Sequence, residues 1–488
     1  MKNLLLLTVF LLLASTDAHA AKIKMPGKKT YVYRYYLIDK QASTYSLSKP
    51  ARFLSRKSLE RRQQQGLSLD STDLPVVRSY VRQFAVKGAD VLGTSRWQNT
   101  VVVRSTDTLL LQHLAQLPIV REARCVYVSP DSIDKQEDIR WNVHETFNRW
   151  DSVRNDPYGM ARQQIEMLHG ISLHEAGLTG RGMTIAILDG GFQNYDRIPA
   201  LRHARLLGVK DFVEPANTNP DRMAATPNAT SGTSFQGIDH GTKVFSAMAA
   251  YAPEVIIGTA PDASYWLLRS EINETEQPLE EDYWTMAAEY ADSVGADIIN
   301  SSLGYYKYDE GMTSYQLRDL DGQTAFISRS ASMLASKGII LCNSAGNSGM
   351  GQWKKIGVPA DARDILTVGA VDGDGRLAAF SSIGPSQDGR VKPDIVARGS
   401  NTTLLSGRGT LVHDMGTSFS TPVTCGMVAC LWQGLPQMTA LDIMELVRQN
   451  ANQHDAPNNI YGHGLPNFWK AYQQGHDNKT EASARHEP

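Results

Sequence analysis

The chain has 488 residues, 42% of them hydrophobic and 8% aromatic, with a formal net charge of -2. That length and apolar content allow a large core and more than one domain. The near balance of charge gives no reason to expect a nucleic-acid or other polyanion partner.

Residues 1–20 read as a secretory signal peptide. Lys2 supplies the positive n-region, Leu4 to Ala14 the apolar h-region, and Ala18-His19-Ala20 a small-x-small cleavage site. The apolar stretch is well short of the ~20 residues a span needs, and no later segment is apolar enough to cross a bilayer. No Cys follows the h-region to accept a lipid. The expectation is an exported, soluble protein that is secreted, periplasmic or held at the cell surface.

Residues 21–130 have a texture of their own. Strands are predicted over Tyr31–Ile38, Thr100–Arg104 and Ile119–Val128, and helices over Ser55–Gln64, Pro75–Val86 and Thr106–Leu117. This mixture suggests a small α+β domain. The basic stretch Arg52–Arg62 reads as a solvated helix face rather than a polyanion patch. Residues 131–158 then form a linker, polar and weakly periodic at its start, which is a natural place for proteolysis.

From Gly159 apolar runs alternate with longer helical patterns. Met183–Leu188, Asp297–Ser301, Gly338–Cys342 and Ile365–Ala370 are predicted buried strands. Thr242–Tyr251, Leu279–Val294, Thr324–Ser336, Ser418–Trp432 and Thr439–Gln449 are predicted helices. Such alternation predicts an α/β architecture, a mostly parallel sheet covered on both faces by helices, with its site at the carboxyl ends of strands. Residues 213–238 read as a surface loop near that site. The tail 475–488 is polar and is expected to be disordered.

Three motifs carry chemistry. Asp189 closes the apolar run Ile185–Leu188, His240 lies in Asp239-His240-Gly241-Thr242, and Ser418 lies in Gly416-Thr417-Ser418-Phe419-Ser420-Thr421-Pro422. An acid, a base and a hydroxyl are what a serine hydrolase needs to attack a carbonyl. Alone, each also fits a bland reading: a turn, a helix cap, a capped helix. A histidine at a helix N-terminus is expected to be held away from protonation by the dipole. A Pro in the first helical turn costs little, and the free N–H of Ser418 could serve a developing oxyanion.

The order Asp, His, Ser resembles that of the subtilisin-like serine proteases (subtilases, peptidase S8 family), over roughly residues 160–474. Asn343-Ser344-Ala345-Gly346-Asn347, Asn300-Ser301-Ser302-Leu303-Gly304 and Tyr461-Gly462-His463-Gly464-Leu465-Pro466-Asn467 are similar to further family signatures. The resemblance implies a three-layer subtilisin-like fold over 159–474, preceded by a propeptide-like domain that inhibits the enzyme until it is cut away. It implies catalysis by Asp189, His240 and Ser418, with Asn347 as side-chain oxyanion donor. Ser302, Leu303 and Gly304 would line the pocket for the residue before the cut bond, with the substrate added as a β-strand. Protein or peptide substrates are implied, and maturation between Ser129 and Gly159. No cofactor is implied for the chemistry, no metal ligand set is found, and structural calcium stays open.

Gly190, where many members have Ser or Thr, and Phe245, where a small residue is common, are departures that touch no reacting atom. A peptide-binding pseudoprotease is the alternative, although the catalytic groups are all present. An α/β-hydrolase would need Gly-x-Ser-x-Gly, and a dinucleotide binder Gly-x-Gly-x-x-Gly; neither occurs at the motifs above. The four cysteines make no disulfide framework. Cys425 and Cys430 are set to face different sides of one helix, Cys125 lies in the segment expected to be removed, and buried free thiols are the reading.

Overall fold

A computed structural model describes residues 22–24, 27–134, 155–213 and 237–484. The signal peptide, most of the linker and nearly all of the 213–238 loop lie outside the described residues.

The small domain is a four-stranded antiparallel sheet with helices on one face. Its elements are β1 (Tyr31–Leu37), α1 (Arg56–Gln64), α2 (Arg78–Arg82), β2 (Asp90–Ser95), β3 (Thr100–Ser105), α3 (Thr108–Leu114) and β4 (Val120–Val128). The strand order is β2-β3-β1-β4. Strand β2 was not expected; Gly93 and a register shift beside it blur its period-two pattern. Helix α2 is shorter than its predicted span.

Side-chain alternation divides this sheet between two cores. Tyr35, Val101 and Val103 pack with Phe84, Leu111 and Leu114. Val32, Val102 and Trp97 face the other way and join Tyr283, Trp284 and Met286 of the large domain.

Charge reinforces that seam. Arg61 and Arg62 of α1, expected to be solvated, are 3% and 2% exposed. Both donate to Asp292, as does Arg96, while Arg34 pairs with Asp282 at 2.6 Å. Glu289 accepts from the Ser95 hydroxyl and from the backbone N–H groups of Arg96 and Trp97. A charged stripe on α1 reads as surface only while its partner, some 230 residues away in sequence, is unknown.

The large domain contains β5 (Thr184–Asp189), β6 (Arg205–Asp211), α4 (His240–Ala249), β7 (Ser264–Arg269), α5 (Leu279–Val294) and β8 (Ile298–Ser301). It continues with α6 (Phe326–Ser332), β9 (Ile340–Ser344), β10 (Leu366–Val371), β11 (Ile395–Arg398), α7 (Thr417–Gly434), α8 (Ala440–Gln449) and α9 (Phe468–Ala484). Seven strands form one sheet in the order β11-β10-β9-β8-β5-β7-β6, with every pairing parallel. Ile185 and Ile187 of β5 pack with residues of α4 and α7, whereas Ala186 and Leu188 pack with residues of α5. The fold therefore has three layers.

At the C-terminus, α9 continues through Gly475 to Ala484, where disorder had been expected. Gly475 is buried, and a Cβ there would sit 2.5 Å from a Leu435 methyl. Close helix packing at Gly475, which polar composition does not report, carries the helix past this residue. All four cysteines are free; Cys342, Cys425 and Cys430 are buried and Cys125 is half-buried.

Candidate active site

The site assembles at the carboxyl end of the parallel sheet. Asp189, the last residue of β5, is fully buried and accepts a 2.8 Å bond from the Gly190 N–H. Helix α4 starts at His240, whose Nδ1 lies 2.9 and 3.0 Å from the two Asp189 carboxylate oxygens. Donation from Nδ1 fixes the tautomer and leaves Nε2 as an acceptor.

Gly241 makes this approach fit. A Cβ there would lie 2.5 Å from the Gly191 carbonyl oxygen and 2.7 Å from the Phe192 ring. Its N–H also bonds the Gly191 carbonyl at 3.0 Å, tying the start of α4 to the chain just after β5. Any side chain at 241 would push the helix, and His240 with it, away from Asp189.

Burial alone would lower the His240 pKa. The charge and hydrogen bond of Asp189 oppose it, the Glu271 carboxylate adds to them, and the net shift is upward. The expectation that the helix N-terminus would hold His240 away from protonation is not met: the Asp189 and Glu271 carboxylates set an upward shift.

Ser418 is the second residue of α7, so its N–H belongs to the first turn, whose donors have no partner within the helix. Its hydroxyl donates to the Ser302 carbonyl at 3.3 Å. The His240 and Phe419 rings are 5.7 Å apart, which puts the imidazole beside the start of α7. Pro422 lies in the second turn, not the first, and cannot donate to the Ser418 carbonyl as a helix requires. The Ser302 hydroxyl donates to that carbonyl instead, at 2.8 Å. Ser302 thus supports the Ser418 turn of the helix from both sides.

Asn347 follows β9. Its Oδ1 accepts from the backbone N–H and the hydroxyl of Thr417, both at 2.9 Å. With the oxygen so engaged, the amide is oriented and Nδ2 is the group left to donate. A cavity of about 200 Å³ opens beside it, lined by Gly304, Tyr306, Ser344, Asn347, Gly357 and Ala360 among others, none of them charged. Of the three residues expected in the pocket wall, Gly304 lines the cavity. Leu303 points into the core, 7% exposed, and Ser302 meets Ser418.

Sequence reasoning missed Glu271. It lies two residues beyond β7, half-buried, and accepts a hydrogen bond from the Tyr305 hydroxyl. Burial pushes its carboxyl up to about 7; the Tyr305 bond opposes this and the Asp189 charge adds to it. The only signal for it in the sequence is the acidic run that starts at this residue. Among the described residues no group of three or more His, Cys, Asp or Glu side chains is arranged to hold a metal ion, and no helix is long and apolar enough to cross a membrane.

Residues 32–141 match the Peptidase S8 propeptide domain of Bacteroidota. The chain is 27% identical over 328 residues to "Serine protease AprX" of Bacillus subtilis (strain 168), spanning 59% of this chain and 66% of that protein. It is 28% identical over 333 residues to "Subtilisin NAT" of Bacillus subtilis subsp. natto, spanning 68% and 75%. The crystal structure of MycP1 from Mycobacterium smegmatis shares the fold, with a TM-score of 0.50 at 20% identity over 68% of this chain and 87% of that one. Residues 180–464, more than half of the sequence, match the subtilase family model (Peptidase_S8), and the chain accordingly belongs to that family of serine endopeptidases.

Proposed function

We propose that this endopeptidase is exported and cuts peptide bonds through an acyl-enzyme carried by Asp189, His240 and Ser418. The observation that carries the reading is the Asp189–His240 pair, at 2.9 Å and 3.0 Å, beside the first turn of the helix that bears Ser418.

The Ser418 hydroxyl turns from the Ser302 carbonyl to His240 Nε2, which takes its proton as Oγ attacks the scissile carbonyl. Asp189 stabilises the imidazolium so formed. Asn347 Nδ2 and the Ser418 N–H receive the oxyanion, because both donors are already oriented and need not reorganise. His240 then gives its proton to the leaving amine, and water repeats the sequence to release the acyl group. Each of these steps is supplied by a side chain or backbone group of this chain.

The uncharged cavity beside Asn347 takes the side chain before the cut bond and favours an apolar one. The small domain blocks the cleft in the intact chain: its β4 end docks through Val128, which exchanges hydrogen bonds of 2.8 and 3.0 Å with Gln277. Cleavage between Ser129 and Gly159 releases it.

The test is reaction with a serine-directed fluorophosphonate, beside hydrolysis of a peptide with Phe before the cut bond. Wild type should label and hydrolyse. Asp189→Asn should lose on the order of 10⁴ in turnover. Full activity in Asp189→Asn, or labelling that survives Ser418→Ala, rejects the assignment.

A further inference from the structure

We infer that Glu271 makes this enzyme select substrates with lysine or arginine at the second residue before the cut bond. The inference rests on the active-site reading above and names a substrate class within it.

An extended peptide turns successive side chains to opposite sides. The first side chain before the cut bond enters the uncharged cavity on the Asn347 side. The second therefore turns to the opposite side of the cleft, toward His240 and Asp189, and Glu271 stands there. A Cβ on Gly190 would lie 3.5 Å from the Glu271 Cβ, and Gly190 follows the catalytic aspartate directly. Asn273 Oδ1 and Ile238 Cδ1 would lie nearer still, at 2.8 and 3.0 Å, so these two side chains share that wall with Glu271.

Among the described residues Glu271 forms no salt bridge, although the charges of His240 and Arg269 reach it. The neutral Tyr305 hydroxyl donates to its Oε1 and leaves Oε2 as the oxygen an incoming cation would meet. Arg269, the nearest basic residue in sequence, is committed to Asp211 at 3.1 Å and to the Gly190 carbonyl at 3.2 Å. Among the described residues no lysine or arginine bonds Glu271. The segment 270–282 holds Glu271, Glu274, Glu276, Glu280, Glu281 and Asp282 and no basic residue. Glu280, Glu281 and Asp282 are buried with partners of their own, Asp282 with Arg34, so Glu271 is the carboxylate of this run set beside Gly190. Burial raises the Glu271 carboxyl, the charges of His240 and Arg269 oppose it only in part, and a cation brought by the substrate would oppose it further.

A purely structural role, in which Glu271 only anchors Tyr305, is the rival account. The test compares kcat/KM for fluorogenic tetrapeptides with Phe before the cut bond and lysine, norleucine or glutamate preceding it. Norleucine has lysine's stem without the charge. Wild type should favour lysine over norleucine by about tenfold, as expected for one charged hydrogen bond, and should handle glutamate worst. Glu271→Gln should bring the lysine-to-norleucine ratio to about one, a ratio taken within each enzyme and independent of its overall rate. Tyr305→Phe should keep the preference, since the carboxylate remains. Equal rates for lysine and norleucine in wild type overturn the proposal without any variant, and so does an unchanged ratio in Glu271→Gln. Hydrolysis without preference leaves the protease standing. No hydrolysis and no fluorophosphonate labelling overturns both.

Discussion

Asp292 holds the small domain to the large one, and replacing it should loosen that seam by a measurable amount. It is fully buried and accepts from three guanidinium groups of the small domain, including two bonds from Arg62 at 2.8 and 2.9 Å. Burial raises a carboxylate pKa, but Arg96, Arg61 and Arg62 outweigh it and hold Asp292 well below the usual range. Asp292→Asn keeps the shape and removes the charge. Removing one partner of a buried ion pair costs ~3–5 kcal/mol. Each arginine keeps another acceptor, such as the Lys337 carbonyl for Arg61, Asp73 for Arg62 and the Ser293 hydroxyl for Arg96. The lower end, ~3 kcal/mol, therefore applies. In a Ser418→Ala background, where no self-cleavage intervenes, that loss should lower the urea midpoint for separating the domains by roughly 1 M. The buried tryptophans Trp97 and Trp284 at the seam provide a fluorescence signal. Because the folded pKa is depressed, the contribution is present above the unfolded carboxylate pKa of about 3.9 and is lost as pH falls through the folded value. The deficit should thus hold across neutral pH and shrink only in strong acid. A midpoint shift below roughly 0.2 M at neutral pH, or a deficit that grows on acidification, refutes the reasoning.

Two further outcomes concern the chemistry. Asn347→Ala removes a donor used only when charge develops on the substrate oxygen, so kcat should fall by ~10²–10³ with KM little changed. A KM rise at constant kcat would count against that role. His240 must be neutral to accept the Ser418 proton, and its pKa is raised, so the acid limb of kcat/KM should have its midpoint above an ordinary histidine value of about 6.5. A midpoint below that value in a pH–rate profile would show that Asp189 and Glu271 do not dominate the base.

How much the sequence disclosed depended on whether the signal was local. Asp189, His240, Ser418 and Asn347 each sit in a short motif at an element boundary, and the structure places all four at one end of the sheet. Strands with clean apolar runs, such as β5 and β10, were legible. Strand β6 was not, because Arg205, Lys210 and Asp211 interrupt its pattern at the sheet edge. Strand β7 ends in Arg269, which is buried only because Asp211 on β6 neutralises it. The same blindness made Arg61 and Arg62 look solvated and hid Glu271. Each charge takes its meaning from a partner or a cleft that chain proximity does not reveal. Family resemblance placed Ser302, Leu303 and Gly304 together along the pocket, but alternate residues of an extended segment face opposite sides, and Leu303 turns into the core.

The central claim is that Ser418, activated by His240 and Asp189, cuts peptide bonds, the chain's own linker included. The most direct measurement is the intact mass of the purified wild-type protein beside that of Ser418→Ala. The account predicts that wild type loses a segment ending between Ser129 and Gly159 and that Ser418→Ala keeps it. Both proteins keeping the segment, or both losing it at the same residue, would contradict the account.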